Sequence, residues 1–221
     1  MARPRSSDER RSEPEPPADV PRRLVVAMTG ASGAIYGIRL LEALHDSPVE
    51  THLIMSEWAR RTIVWETDYR ATTVAKLADH VYPEEAMDAP PGSGSFLTDG
   101  MVIAPCSMKS LAAIASGLSG NLIHRAADVA LKEKRRLVML VREAPLSVIH
   151  IENMLRVARA GAIVSPPVPA FYARPRSLDE MVDHTIGRLL DQFGIDSGLV
   201  QRWGGSQPPA DDSAAGDASS T

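Results

Sequence analysis

A change of hydrophobic period, repeated along the chain, limits what this sequence can fold into more than any other feature. Short apolar runs at 24–28, 49–55, 100–104, 137–141 and 162–164 are rich in β-branched and other apolar residues. Such runs suit strands covered on both faces. Between them, apolar residues recur at three- and four-residue spacing, as one buried helical face requires. The first unit shows the logic. Residues 24–28 (LVVAM) lead at once into Thr29-Gly30-Ala31-Ser32-Gly33, after which Ile35, Ile38, Leu41 and Leu44 fall on one face of a helix.

Further helices are expected at 56–66 with Ser56 as N-cap, at 71–80, 111–116 and 126–134, at 147–160 with Ser147 as cap and Gly161 past its end, and at 177–193. Pro105 is expected to stop the third strand. Segment 83–95, rich in Pro, Gly and Ser, reads as a mobile loop of the kind that often covers a site. Strand and helix alternate from end to end, and parallel neighbours need crossover helices. The expectation is a single-domain, three-layer α/β fold: a Rossmann-like (flavodoxin-like) parallel sheet with helices on both faces. The turns after strands, at 30–33, 56, 106–110, 142–143 and 165–172, then converge on the carboxyl edge of the sheet, where ligands of such folds bind.

The chain has 221 residues, enough for one domain with a sizeable core. Segments 1–21 and 204–221 have almost no large apolar side chains and are expected to be disordered tails on a folded body at 22–203. The tails account for the whole net charge of −4. A body without net charge argues against a nucleic-acid-binding face. No apolar run reaches the roughly 20 residues that span a bilayer, and no signal-peptide core precedes the body. Cys106 is the lone cysteine, so no internal disulfide forms. A cytoplasmic location with no membrane partner is the simplest expectation.

The first turn is no dinucleotide fingerprint, because Ser32 and Ile35 stand where glycines are needed, and no Walker Gly-Lys-Ser/Thr follows. Free backbone N–H groups and a helix dipole at Gly30–Gly33 suit one monophosphate, such as that of FMN. Local sequence allows a plain strand-to-helix turn equally well. Cys106-Ser107-Met108-Lys109-Ser110 repeats the strand–turn–helix pattern. Cys106, with no base near it in sequence, reads as an inert, partly buried thiol. The six histidines, at 45, 52, 80, 124, 150 and 184, show no recognised ligand spacing, so no metal site is expected. Arg125, Lys132, Arg142 and Arg188, with Tyr172, read either as surface groups or as a clamp for a second phosphate. Glu143, between Arg142 and Pro145, is either a general acid–base or half of a surface ion pair.

Taken together, eight stretches carry a resemblance: TGASGAIYG (29–37), ETD (66–68), SGSF (93–96), APCSMKSLA (104–112), RAADVALKE (125–133), REAPLS (142–147), PAFYARP (169–175) and RW (202–203). In this order, over 22–203, they resemble the UbiX-type flavin prenyltransferases, formerly described as aromatic-acid decarboxylase subunits. The resemblance implies that dimethylallyl monophosphate gives its prenyl group to N5 and C6 of reduced FMN, without metal. The product would serve a UbiD-type decarboxylase. It also implies FMN contacts from Gly30, Ala31, Ser32, Ser56, Ser107, Met108, Lys109, Ser110 and Arg142. Arg125, Lys132, Tyr172 and Arg188 would hold the prenyl phosphate, and Trp203 would close the site. Ser32, Glu66 and Glu143 would be catalytic. The family's homododecamers place sites between subunits, so some of the phosphate-binding residues are expected to act in a neighbour's site. Met87 stands where some members carry a tryptophan.

Two other readings are a non-catalytic FMN carrier or subunit of an aromatic-acid decarboxylase, and an FMN-dependent peptidyl-cysteine decarboxylase of related fold. The PASANT-like motif of the latter is here Ala104-Pro105-Cys106-Ser107-Met108-Lys109. The presence of Glu143, Lys132, Arg188 and Tyr172 weighs towards the prenyltransferase.

Overall fold

The computed structural model describes residues 21–200 and Arg202. Residues 1–20 of the first expected tail, the whole of the second and Trp203 lie outside the described residues. In chain order the elements are β1 (Arg23–Met28), α1 (Ala34–His45), β2 (Glu50–Met55), α2 (Glu57–Glu66), α3 (Ala71–Ala75), β3 (His80–Pro83), β4 (Gly100–Cys106), α4 (Met108–Ala115), α5 (Leu122–Lys132), β5 (Arg136–Val141), α6 (Val148–Arg159), β6 (Ile163–Val164) and α7 (Leu178–Asp191). Short 3₁₀ turns stand at Pro90–Gly92 and Phe171–Ala173.

All strands pair in parallel, in the order β3-β2-β1-β4-β5-β6. This is the doubly wound α/β order, and its sense reverses between β1 and β4. Side chains alternate across the sheet as strand geometry dictates. Leu24, Val26 and Met28 join one apolar layer with residues of α1, α2 and α7, and Val25 and Ala27 join the other with residues of α4, α5 and α6. At Gly37 of α1 an added Cβ would stand 2.4 Å from the Ala104 carbonyl oxygen, so glycine lets this helix lie close against β4.

Several boundaries differ from the sequence expectation, each for a local reason. The helix expected over 71–80 stops at Ala75, and β3 follows at the sheet's edge. A side-chain clasp supports β3: the Asp79 carboxylate accepts from the Thr51 backbone N–H and hydroxyl, each at 2.8 Å. β4 runs through Pro105 to Cys106 with an irregular register there rather than stopping at Pro105. α5 starts four residues before the expected 126, because the Asn121 side chain caps it by accepting from the His124 N–H at 3.0 Å. The expected caps Ser56 and Ser147 accept backbone N–H bonds, and Ser177 does so at the start of α7.

Candidate functional site

The reversal between β1 and β4 brings two turns together at the carboxyl edge of the sheet. Thr29 joins them. Its hydroxyl donates to the Pro105 carbonyl at 2.8 Å and accepts from the Ser107 N–H at 2.8 Å, and the residue is only 2% exposed. This bridge fixes Ser107 as the N-cap of α4, where its hydroxyl accepts from the Ser110 N–H at 3.3 Å. Ser56 caps α2 in the same way, accepting from the Ala59 N–H at 3.1 Å.

A cleft of about 140 Å³ lies between these turns, with Gly30, Ser56, Ser107, Lys109, Ser110 and His124 among its lining residues. It has the size of a phosphate with part of its ester, not of a whole flavin. Its donors suit that guest: hydroxyls, an ammonium and the start of α4. His124 is buried, and its Nδ1 has no hydrogen-bond partner among the described residues. Burial first, and then the Lys109 charge, hold its pKa below the ordinary histidine value. Gly30 belongs here sterically, since an added Cβ would stand 2.3 Å from the Cβ of Trp58.

Sequence reasoning missed the frame around this cleft. Glu84 accepts from the Glu57 N–H at 2.7 Å and from the Asn121 side chain at 2.6 Å. It thereby ties the start of α2 to the start of α5. The sequence signal was faint: Asn121 precedes an apolar period and marks a helix start, but Glu84 stood in what read as loop.

The start of α1 differs from the sequence expectation. The Gly33 and Ala34 N–H groups donate to the Glu66 carboxylate at 2.7 and 3.1 Å. A side chain thus fills the anion-attracting end of α1, and the free anion-facing groups lie around α4 instead. Burial pushes the Glu66 carboxyl up, but the Ser32 hydroxyl, the Ala34 and Gly33 N–H groups and the Arg142 charge outweigh it and hold the pKa below the usual value. Ser32, Glu66 and Arg142 therefore form one electrostatic group beside the cleft. Glu143 follows Arg142 after β5, is exposed, and accepts from the Ala144 N–H at 3.0 Å. Cys106 is fully buried, and burial pushes its thiol up to about 12.

Of the expected phosphate clamp, the chain keeps Lys132 and Arg188 away from this cleft. Lys132 ends α5, whose cap Asn121 lines the cleft; 11 residues at about 1.5 Å rise set the two roughly 16 Å apart. Lys132 is paired with Glu133. Arg188 lies in the last turn of α7 and pairs with Asp191 at 2.7 Å. That end of α7 meets the opposite sheet edge, where Arg22, just before β1, donates to the Phe193 carbonyl at 2.7 Å. Arg125 donates to the Gly92 carbonyl at 3.0 Å and to Asp128 at 2.7 Å. The Tyr172 hydroxyl stands 3.3 Å from His184 Nε2. Trp203, the expected closing residue, falls outside the described residues.

Comparison with known proteins accords with this geometry. Residues 12–190 match the flavoprotein family. A probable UbiX-like flavin prenyltransferase of Bacillus subtilis (strain 168) is 56% identical, over 83% of this chain and 90% of that protein. The solved structure of AnUbiX (PadA1) in complex with FMN and dimethylallyl pyrophosphate is 56% identical and superposes with a TM-score of 0.83, covering 84% of this chain and 99% of that one. A dodecameric FMN-dependent UbiX-like decarboxylase of Escherichia coli O157:H7 is 52% identical with a TM-score of 0.81, over 83% of this chain and all of that chain (100%).

Proposed function

This chain belongs to the UbiX-like flavin prenyltransferases, and from that membership we propose how its residues divide the reaction. The carrying observation is the cleft at the β1–β4 reversal, whose serine, lysine and α4 donors fit one monophosphate. We assign it to the FMN phosphate, with Gly30, Ala31, Ser32, Ser56, Ser107, Met108, Lys109, Ser110 and Arg142 as the FMN-binding set. The bound reduced FMN supplies the nucleophilic N5 and C6 atoms that accept the dimethylallyl group. Ser32 and Glu66, already in contact, place the Ser32 hydroxyl proton beside that position, while Ser32 itself, the Ala34 and Gly33 N–H groups and, last, the Arg142 charge keep Glu66 an acceptor. Glu143, exposed next to Arg142, donates a proton to the departing phosphate or to the product.

Without a metal, the departing phosphate needs fixed cations and a phenol to stabilise its charge. Arg125, Lys132, Tyr172 and Arg188 supply these groups, with Lys132 and Arg188 standing at the ends of α5 and α7 away from the cleft of their own chain. We place some of them in a neighbouring subunit's site, within a homododecamer like that of the E. coli relative. Exposed apolar side chains support assembly: Trp65 on α2 is 69% exposed, Val148 on α6 70% and Phe171 77%. To Trp203, which the structure does not describe, we assign the family's site-closing role. The donor is dimethylallyl monophosphate, with the pyrophosphate seen in AnUbiX as the comparison substrate. The product goes to a UbiD-type decarboxylase. A buried, unpaired Cys106 thiol supports a reducing, cytoplasmic setting.

Subunit mixing tests the division of the site. Lys132→Ala and Arg142→Ala variants, each inactive alone, should regain part of the activity when co-expressed, because some mixed interfaces then carry both intact residues. No recovery from verified mixed oligomers would place both residues in one chain's site.

A further inference from the structure

Outside the residues lining the cleft, the pairing of β2 with β3 brings His80 to Glu50 and His52, which precede it by 30 and 28 residues. His52 and His80 are register partners on the two strands. Glu50 precedes His52 by two positions and so shares its face. Glu50 Oε1 lies 2.8 Å from His80 Nε2 and 3.4 Å from His52 Nε2. The other carboxylate oxygen, Oε2, is taken by Arg23 at 2.8 Å.

We propose that Glu50, His52 and His80 bind a zinc-type divalent cation, through Glu50 Oε1 and the Nε2 atoms of the two histidines. The three ligand atoms lie within 4.8 Å of one another. Zinc ligands at about 2 Å in tetrahedral array stand roughly 3.3 Å apart, and the two separations measured at Glu50 Oε1 straddle that value. A His₂-carboxylate donor set suits zinc, cobalt or nickel.

His52 Nε2 gives the independent observation. It is buried without a hydrogen-bond partner among the described residues, though it faces a carboxylate oxygen. Buried polar atoms are rarely left in this state. The other ring nitrogen, Nδ1, stands 3.0 Å from the Tyr82 hydroxyl. With Nδ1–H donating to that oxygen, Nε2 presents a lone pair to Glu50, and a cation between them satisfies both. This is the outer-shell arrangement that commonly orients a ligating histidine. The imidazole rings now stack with centroids 4.7 Å apart. His80, half exposed and with its Nε2 already towards Glu50, exchanges that contact for the ion on capture and leaves one position for water.

The surrounding charge favours a cation. Glu50 and Asp79 face the histidines, and among the described residues Arg23 is the guanidinium that acts on them, so this set carries one negative charge when both histidines are neutral. A bound ion would clamp the edge strand β3 to β2. β3 ends at Pro83, next to Glu84, which frames the flavin cleft. The ion therefore stiffens the cleft's frame without entering the reaction.

The test uses the full chain, freed of metal by a chelator and then dialysed. Titration with Zn²⁺ should show one site per subunit, and Co²⁺ should give the intense visible absorption of a tetrahedral site. Zn²⁺ should also raise the melting temperature of the FMN-free protein. His80→Ala, at a half-exposed position that folding tolerates, should weaken Zn²⁺ binding at least tenfold and abolish the cobalt spectrum. His150→Ala, on α6, should leave both unchanged. Absence of a stoichiometric site, or Zn²⁺ binding that His80→Ala leaves intact, would overturn the proposal.

Discussion

Replacing Thr29 by Val removes the bridge between the two halves of the sheet while keeping side-chain volume. The hydroxyl serves two partners, the Pro105 carbonyl and the Ser107 N–H, each at 2.8 Å. The losses are unequal. Pro105 keeps a second donor, the Thr29 backbone N–H at 3.2 Å. The Ser107 N–H has no such reserve and becomes a part-buried donor without a partner. One unsatisfied donor plus one lost hydrogen bond costs about 2–3 kcal/mol. For a domain of this size each kcal/mol lowers the melting temperature by about 2–4 °C, so Thr29→Val should melt about 4–12 °C lower. Because Ser107 caps α4 at the flavin cleft, FMN affinity should fall about tenfold or more, the equivalent of at least 1.4 kcal/mol. Calorimetry of the FMN-free protein and quenching of flavin fluorescence read the two effects. Thr29→Ser, which keeps the hydroxyl, should restore both. A Thr29→Val protein with unchanged melting and unchanged affinity would refute the role given to this bridge.

Other outcomes follow from the site's electrostatics and burial. Glu66 has a lowered folded-state pKa, so its contribution is full above the unfolded carboxylate pKa, about 4.3, and is lost as pH falls through the folded value. Glu66→Gln should flatten the acid limb of a stability-against-pH curve, and an unaltered limb would remove Glu66 from that role. Cys106, with its thiol pushed up to about 12, should resist iodoacetamide at neutral pH while the protein is folded and react once it is unfolded in urea. Fast alkylation of the native protein would show an open thiol.

The parts of the fold that were legible in the sequence are those with a local cause. Serine caps at 56 and 147 announced α2 and α6, and apolar runs marked β1, β2, β4, β5 and the edge strand β6. β3 escaped because it is largely exposed and has no apolar run to mark it. Its stability comes from pairing with β2 and from the Thr51–Asp79 clasp, and both are long-range. Missing β3 also hid the Glu50–His52–His80 group, since only strand register brings those residues together. At the site, the turns after β1 and β4 were legible because topology sends them to one edge. That Glu66 occupies the start of α1 was not legible, because the contact joins positions 33 residues apart. The cationic residues were legible by type, but their place was not: α5 and α7 carry Lys132 and Arg188 to the other edge of the same chain.

The most direct measurement is a mass. The protein is incubated anaerobically with reduced FMN and dimethylallyl monophosphate, with a parallel reaction using the pyrophosphate, and the flavin is then extracted. The account predicts a flavin heavier by one five-carbon prenyl unit. FMN bound to the protein but recovered with its mass unchanged from both reactions would contradict the prenyltransferase assignment and leave a flavin carrier.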